Sequence, residues 1–333
     1  MYAITVVEEF QVAEVVLGLG ASHTTLMNTH WDAVNHLDRA HAFRNALERA
    51  RHRLRRARPD AVLLIGPNHF RGYWLDLMPG FSIGVRELDC AGEHGTPKGS
   101  QVVDETAATH LCEHLIGSGF DVAFSTRLSV DHGISHAIQW IVAESALPLI
   151  PLVVNCFAPP LPGLDRCLSL GAAIASGIGS LPADMRVAVI ASGGLSHRLP
   201  FPDWRKPQSD DDEFLVDSWK NGRDRWKEYE PRRREIVTSA PSRINETFDR
   251  RILSLLETGE LHRLPRELND EQLVSEGGNG ANEIRAWLIM AAVLGHARGR
   301  TLCYAPMPEW LTGMAVAEIC PEANDCGLTR IAE

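Results

Sequence analysis

The chain has 333 residues, 44% hydrophobic and 23% charged, with 27 glycines and 19 prolines, a balance that excludes a disordered or collagen-like polymer. Its 43 acidic residues outnumber 33 basic ones for a formal charge of −10, which argues against nucleic acid or an anionic membrane as a partner and favours a small molecule. Length admits two lobes, but α/β folds run past 200 residues as one unit, so a single domain over 1–333 is expected.

The N-terminal "MYAITVVEEF" carries acids and no basic segment, unlike a secretory signal. "AEVVLGLGAS" (13–22) is an apolar, β-branched run ending in glycine and serine, the pattern of a strand buried on both faces. Next, "AHAFRNALERARHRLRRA" (40–57) predicts a helix with Phe43, Leu47, Ala50 and Leu54 on one stripe and arginines opposite. "AVLLIGPN" (61–68), "LPLIPLVVN" (147–155) and "MRVAVIASGG" (185–194) predict three more buried strands. The most apolar stretch, "LPLIPLVVNCFAPPLPGL", is broken by five prolines, so no spanning helix is predicted and a cytoplasmic location is expected. A polar excursion at about 199–240 mixes both charge signs and is expected to be a solvated helical segment. Helical spacing returns at 244–264 and 281–299, and "PEANDCGLTRIAE" (321–333) reads as a loose tail. Alternating strands and helices make the class α/β, with a central, mostly parallel sheet flanked by helices. Seven scattered cysteines without a CxxC pair suggest neither a disulfide framework nor a zinc ribbon, which fits a reducing compartment.

Three of the fourteen histidines share a context, since His23, His69 and His197 each follow a predicted strand end rich in Gly, Ser or Asn. In open α/β sheets ligands bind outside the carboxyl ends of the strands, so these three are expected to meet in one pocket. His132, beside Asp131 in a turn that opens a helix, is a fourth candidate, with His136 one helical turn further on as its rival. His36, His41, His52, His110, His114, His262 and His296 lie on or beside helical patterns, where a solvated or half-buried imidazole is the commoner state. Two neutral imidazoles and one carboxylate suit a non-haem Fe(II) with open positions. Glu283, after the glycine-rich "EGGNGAN", is the candidate carboxylate, although a first-turn acid favoured by the helix dipole fits the spacing equally.

"ASHTTLM", "GPNHFRGYW", "SVDHGIS", "SGGLSHRLP" and "NEIRAWLIMAAV", in this order, resemble the class III extradiol ring-cleavage dioxygenases, the superfamily of the protocatechuate 4,5-dioxygenase β-subunit. "DLMPGFSIGV", "PLPG", "ILSLLETGEL" and "MPEWLTG" extend the likeness towards its phenylpropionate-cleaving branch, over roughly residues 13–315. The resemblance implies that His23, His69 and Glu283 bind Fe(II), that His197 is an acid/base, and that His132 is its partner. It implies a single catalytic domain with its site at the strand C-terminal ends, in a homo-oligomer that opens a catechol with O2 to a hydroxymuconic semialdehyde-type product. Arg71 and Arg198 depart from the less basic neighbours expected in that branch and are the candidate anchors for an acidic substrate side chain. Two rivals use the same residues: a zinc-dependent hydrolase, which oxygen dependence would separate, and a non-catalytic binding protein on the same scaffold.

Overall fold

In the computed structural model, which describes residues 12–321, nine strands form one sheet. They are β1 (Glu14–Ala21), β2 (Ala61–Pro67), β3 (Phe81–Ala91), β4 (Lys98–Gln101), β5 (Ala123–Val130), β6 (Leu149–Val154), β7 (Arg186–Ser192), β8 (Gly299–Met307) and β9 (Thr312–Ile319). Their order is β4-β3-β6-β2-β7-β1-β9-β8, with β5 pairing β3. The central β6, β2, β7 and β1 run parallel, and β3 and β9 join this block antiparallel. The α-helices in chain order are α1 (Leu26–Thr29), α2 (Leu37–Ala57), α3 (Glu105–Gly117), α4 (His132–Ala137), α5 (Leu164–Gly179), α6 (Asp210–Asn221), α7 (Trp226–Ser239), α8 (Glu246–Thr258), α9 (Leu264–Glu267), α10 (Asp270–Gly277) and α11 (Ile284–Val293). The protein is thus α/β, and none of its described helices is long and apolar enough to cross a membrane.

The four predicted strands are β1, β2, β6 and β7, and both their faces are covered, which is why they read as unbroken apolar runs. Val62, Leu64, Ala188 and Ile190 point to the face where α2 lays Phe43, Leu47, Ala50 and Leu54. Leu63, Ile65, Val189 and Ala191 point to the other face, against Leu170 and Ile174 of α5 and Trp287 of α11. Each such large side chain taken fully from water contributes roughly 1.5–3 kcal/mol before entropy is counted.

Several boundaries differ from those expected. The helix of 244–264 stops at Thr258, before Gly259. That of 281–299 begins as a 3-10 turn over Asn279–Glu283, and its α-helix ends at Val293, with residue 299 already in β8. The excursion holds α6 and α7 and is not solvated all round, because Leu215, Val216, Trp219 and Arg233 are buried. Cys90, Cys112, Cys156, Cys167 and Cys303 are free thiols, and Cys320 is disulfide-bonded. The predicted tail lies, from residue 322 on, outside the described residues, as does the opening "MYAITVVEEF".

Because β2, β7 and β1 are neighbours and parallel, their carboxyl ends open side by side on one edge. The start of α4 is pressed onto that edge: a Cβ on Gly66 would sit 2.3 Å from the Gly133 carbonyl oxygen. Gly66→Ala must push α4 off the sheet and should cost about 1–3 kcal/mol of stability in urea titration, the usual penalty of overpacking. Gly179→Ala, where an added Cβ meets nothing within 4 Å, is the control and should lie close to wild type.

Candidate active site

Glu283, the last residue of the 3-10 turn before α11, is 1% exposed. Its Oε2 accepts a hydrogen bond from the Gly194 backbone N–H at 2.7 Å. Its Oε1 lies 3.0 Å from His69 Nε2 and 3.5 Å from His23 Nε2. The carboxylate reaches this position over Gly193, whose φ of +125° suits glycine and whose missing Cβ would lie 2.9 Å from Oε2. Burial opposes its charge, but His23 and His69 hold Glu283 well below the usual carboxylate range.

Both imidazoles are turned by groups behind them. His23, just beyond β1, sets Nδ1 3.0 Å from Ser192 Oγ at the end of β7. His69, just beyond β2, sets Nδ1 3.2 Å from Asp131 Oδ1, and Asp131 Oδ2 accepts from the His69 backbone N–H at 2.5 Å. Asp131 also caps α4 by accepting from Gly133 N at 2.9 Å. Each ring is thereby fixed with Nε2 towards Glu283.

The donor set fits a divalent metal of the first transition row. His23, His69 and His132 offer ligand atoms within 4.8 Å of one another, and Oε1 of Glu283 stands beside the first two. The point of convergence attracts positive charge: burial lowers the His69 pKa, but Asp131 and Glu283 outweigh it and raise the ring to about 10. A second group, Glu93, Asp131 and His132, is equally compact, but its carboxylates are engaged in holding His69 and His132.

His197 lies in the turn after β7, clasped by "EGGNGAN": its backbone N–H donates to Gly277 O at 2.9 Å, and Gly280 N donates back to His197 O at 3.0 Å. Its Nδ1 donates to the Leu195 carbonyl at 3.1 Å, which leaves Nε2 with the lone pair. Burial, only partly opposed by Glu283, lowers its pKa, so the ring is neutral at neutral pH. The turn is braced from below by Asp249 of α8, which accepts from Ser196 N at 2.7 Å, Ser196 Oγ at 2.8 Å and Tyr304 Oη at 2.8 Å.

His132 opens α4 and stacks on His69 with ring centroids 4.0 Å apart. Its Nδ1 donates to Glu93 Oε1 at 2.5 Å, and its backbone N–H donates to the same oxygen at 2.8 Å. Burial opposes the Glu93 charge, yet His132 and Arg71 keep this acid far below the usual range. His132, with His23, His69 and His197, lines one cavity walled by Leu199, Phe201 and Leu311. His136 is buried but does not line it.

The two expected anchors fare differently. Arg198 is exposed, reaches only the Val274 carbonyl at 3.4 Å, and lies outside the cavity. The structure thus does not bring this expected anchor together with the histidines. Arg71 lines the cavity but is occupied by the Phe70 carbonyl at 3.0 Å, by Glu230, and by Glu93 at 3.5 Å. Sequence reasoning missed Ser192, Asp131 and Glu93 as orienting groups, although "GEHG" sets an acid and a histidine in a glycine-rich turn. It also missed His94, Glu230, Arg233 and Arg234, which complete the cavity wall.

Residues 17–315 match the family model described as the catalytic LigB subunit of aromatic ring-opening dioxygenase. The 2,3-dihydroxyphenylpropionate/2,3-dihydroxicinnamic acid 1,2-dioxygenase of Rhodococcus jostii (strain RHA1) is 33% identical over 313 residues, covering 89% of this chain and 95% of that one. The protein of the same description from Mycolicibacterium smegmatis is 32% identical over 314 residues, covering 90% and 97%. That from Cupriavidus necator is 33% identical over 287 residues, covering 82% and 89%.

Burial raises the Asp249 pKa from 3.8 to about 6, against the hydrogen bonds from Tyr304 and Ser196. A raised acid contributes stability that is complete below about pH 3.8 and is lost as pH rises through about 6. Asp249→Asn keeps the uncharged shape, so the stability of wild type relative to this variant should fall between those two values in urea titrations. A difference independent of pH would mean that Asp249 titrates normally.

Proposed function

The chain belongs to the family of catalytic LigB subunits of aromatic ring-opening dioxygenases and is a catechol ring-cleaving enzyme, and from that premise we propose that it is an Fe(II)-dependent extradiol dioxygenase acting on a catechol with an acidic side chain. The observation that carries this reading is the convergence of His23 Nε2, His69 Nε2 and Glu283 Oε1 beside the unprotonated Nε2 of His197. The first three residues would hold the iron. When bound, Fe(II) supplies a centre that holds the two catechol oxygens and O2 side by side and passes electron density between them.

The chain's own residues do the rest. His197 Nε2 takes a proton from a catechol hydroxyl, which raises electron density on the ring; its neutral resting state suits that task. His132, hydrogen-bonded to the ionised Glu93 but lowered in pKa by burial and His69, holds a proton only in passing and returns it as the ring opens. Leu199, Phe201 and Leu311 give the aromatic ring an apolar wall and limit water. Insertion of both oxygen atoms next to the hydroxyl pair gives a hydroxymuconic semialdehyde-type product. The names of the relatives support an acidic side chain on the substrate.

Oxygen uptake by the Fe(II)-loaded protein, followed together with the yellow ring-opened product, tests the reading directly; consumption of neither O2 nor catechol would sink it. His23→Ala, His69→Ala and Glu283→Ala should each lose iron in anaerobic titration, and retention of one iron per chain by all three would refute the ligand assignment. His197→Gln should keep iron but lower turnover by roughly 10²–10⁴-fold, the usual worth of a positioned acid/base. Because a base with a depressed pKa is active above that pKa, the acidic limb of the wild-type pH–rate profile should disappear with it. Loss of iron from His197→Gln would instead make this residue a ligand.

A further inference from the structure

Part of the cavity wall comes from α7, in the excursion whose sequence reads as solvated. It contributes Glu230, Arg233 and Arg234, and together with Arg71 this places three guanidinium groups around one pocket. Two of them have hydrogen-bond partners, although Arg71 Nε, 3.5 Å from Glu93 Oε2, makes no hydrogen bond. Arg71 is held by Glu230 and the Phe70 carbonyl, and Arg234 donates to Thr25 Oγ1 at 2.9 Å and Thr29 Oγ1 at 2.6 Å. Glu230 is spent as well, since its Oε1 stands 2.7 Å from His94 Nε2 while its Oε2 meets Arg71.

Arg233 is different. It is 6% exposed, and its Nε and Nη1 are buried without a hydrogen-bond partner among the described residues. Its nearest carboxylate oxygen, Glu230 Oε2, is 3.8 Å away, beyond hydrogen-bond reach and already committed to Arg71. A buried guanidinium with idle donors is costly unless something completes it, and its planar fork matches a carboxylate. We infer that Arg233 binds the carboxylate of the substrate's side chain and so sets the preference of this enzyme for acidic catechols. This rests on the ring-cleavage reading above and replaces Arg71 and Arg198 as the anchor.

The test compares 3-(2,3-dihydroxyphenyl)propionate with 3-methylcatechol in kinetics, and 3-phenylpropionate with 3-phenylpropionamide in calorimetric binding to the protein as isolated. The preference of kcat/KM for the acid over 3-methylcatechol should fall about 10–100-fold in Arg233→Gln, the worth of hydrogen bonds to a charged group. Arg233→Lys, which keeps the charge in the buried site but not the fork, should lie between. Binding of 3-phenylpropionate should weaken by a similar factor, while that of the amide changes little. Equal losses for acid and neutral partners, in both variants, would overturn the inference and make Arg233 a packing residue. A wild-type protein that favours neither acid would do the same. Were no catechol cleaved at all, the ring-cleavage reading would fail by itself, and the calorimetric pair would still decide whether Arg233 holds a carboxylate.

Discussion

An ionised carboxylate in the middle of an apolar sheet edge costs several kcal/mol unless its charge is met from every side. Glu283 meets this constraint with one backbone N–H and two imidazoles, and much of the architecture follows from assembling them. The N–H belongs to the turn after β7, and the imidazoles stand beyond the strands on either side of it. A different strand order would leave the charge with one partner missing. Gly193 is the local condition, since any side chain there would occupy the space of the carboxylate.

Four histidines share this pocket, and their surroundings separate their roles. His23 and His69 place Nδ1 against a hydroxyl and a carboxylate, which fixes the ring and frees Nε2 to act as a donor atom. His197 gives Nδ1 to a neutral carbonyl, which fixes the tautomer without adding charge, and burial then keeps the ring unprotonated. His132 leans on an acid that stays ionised, but burial and the neighbouring His69 outweigh that acid and lower the pKa of the ring. On the proposed reading, chemistry is divided by the atom behind each ring rather than by the ring itself.

This division explains what could be read from the chain alone. β1, β2, β6 and β7 announce themselves as apolar runs, and with them the positions of His23, His69 and His197, whereas β9, buried throughout but carrying Thr312, Gly313 and Glu318, does not. β5 and β8 are half-exposed along their length, with patterns too polar to stand out from loops. Glu93 and Asp131 are far from their partners in sequence, and nothing local distinguishes an acid that orients a histidine from one that caps a turn. Arg71 and Arg198 drew attention because they neighbour site histidines in sequence. Proximity along the chain does not fix direction, and beyond a strand end the chain turns so sharply that Arg198 faces solvent one residue from buried His197.

The excursion shows the same limit from the other side. Its charges read as a solvated face, yet a few apolar residues fasten it over the site. Trp219 of α6 stacks on Phe70 with ring centroids 4.2 Å apart and meets Phe201 at 5.3 Å. Phe70 follows His69 directly, so the lid is keyed to the same turn that carries a histidine of the centre. The enzyme therefore has two layers: strand ends, whose geometry is dictated by the buried carboxylate, and a helical excursion that supplies part of the cavity wall. The first layer tolerates little change, because each group there completes the charge balance of another. The second is held by aromatic packing and surface ion pairs, and at the cavity Glu230 ties it to Arg71 and His94 while Arg234 ties it to Thr25 and Thr29. With Arg233 as the inferred anchor, substrate preference is set from the excursion while the ring-opening chemistry stays with the sheet.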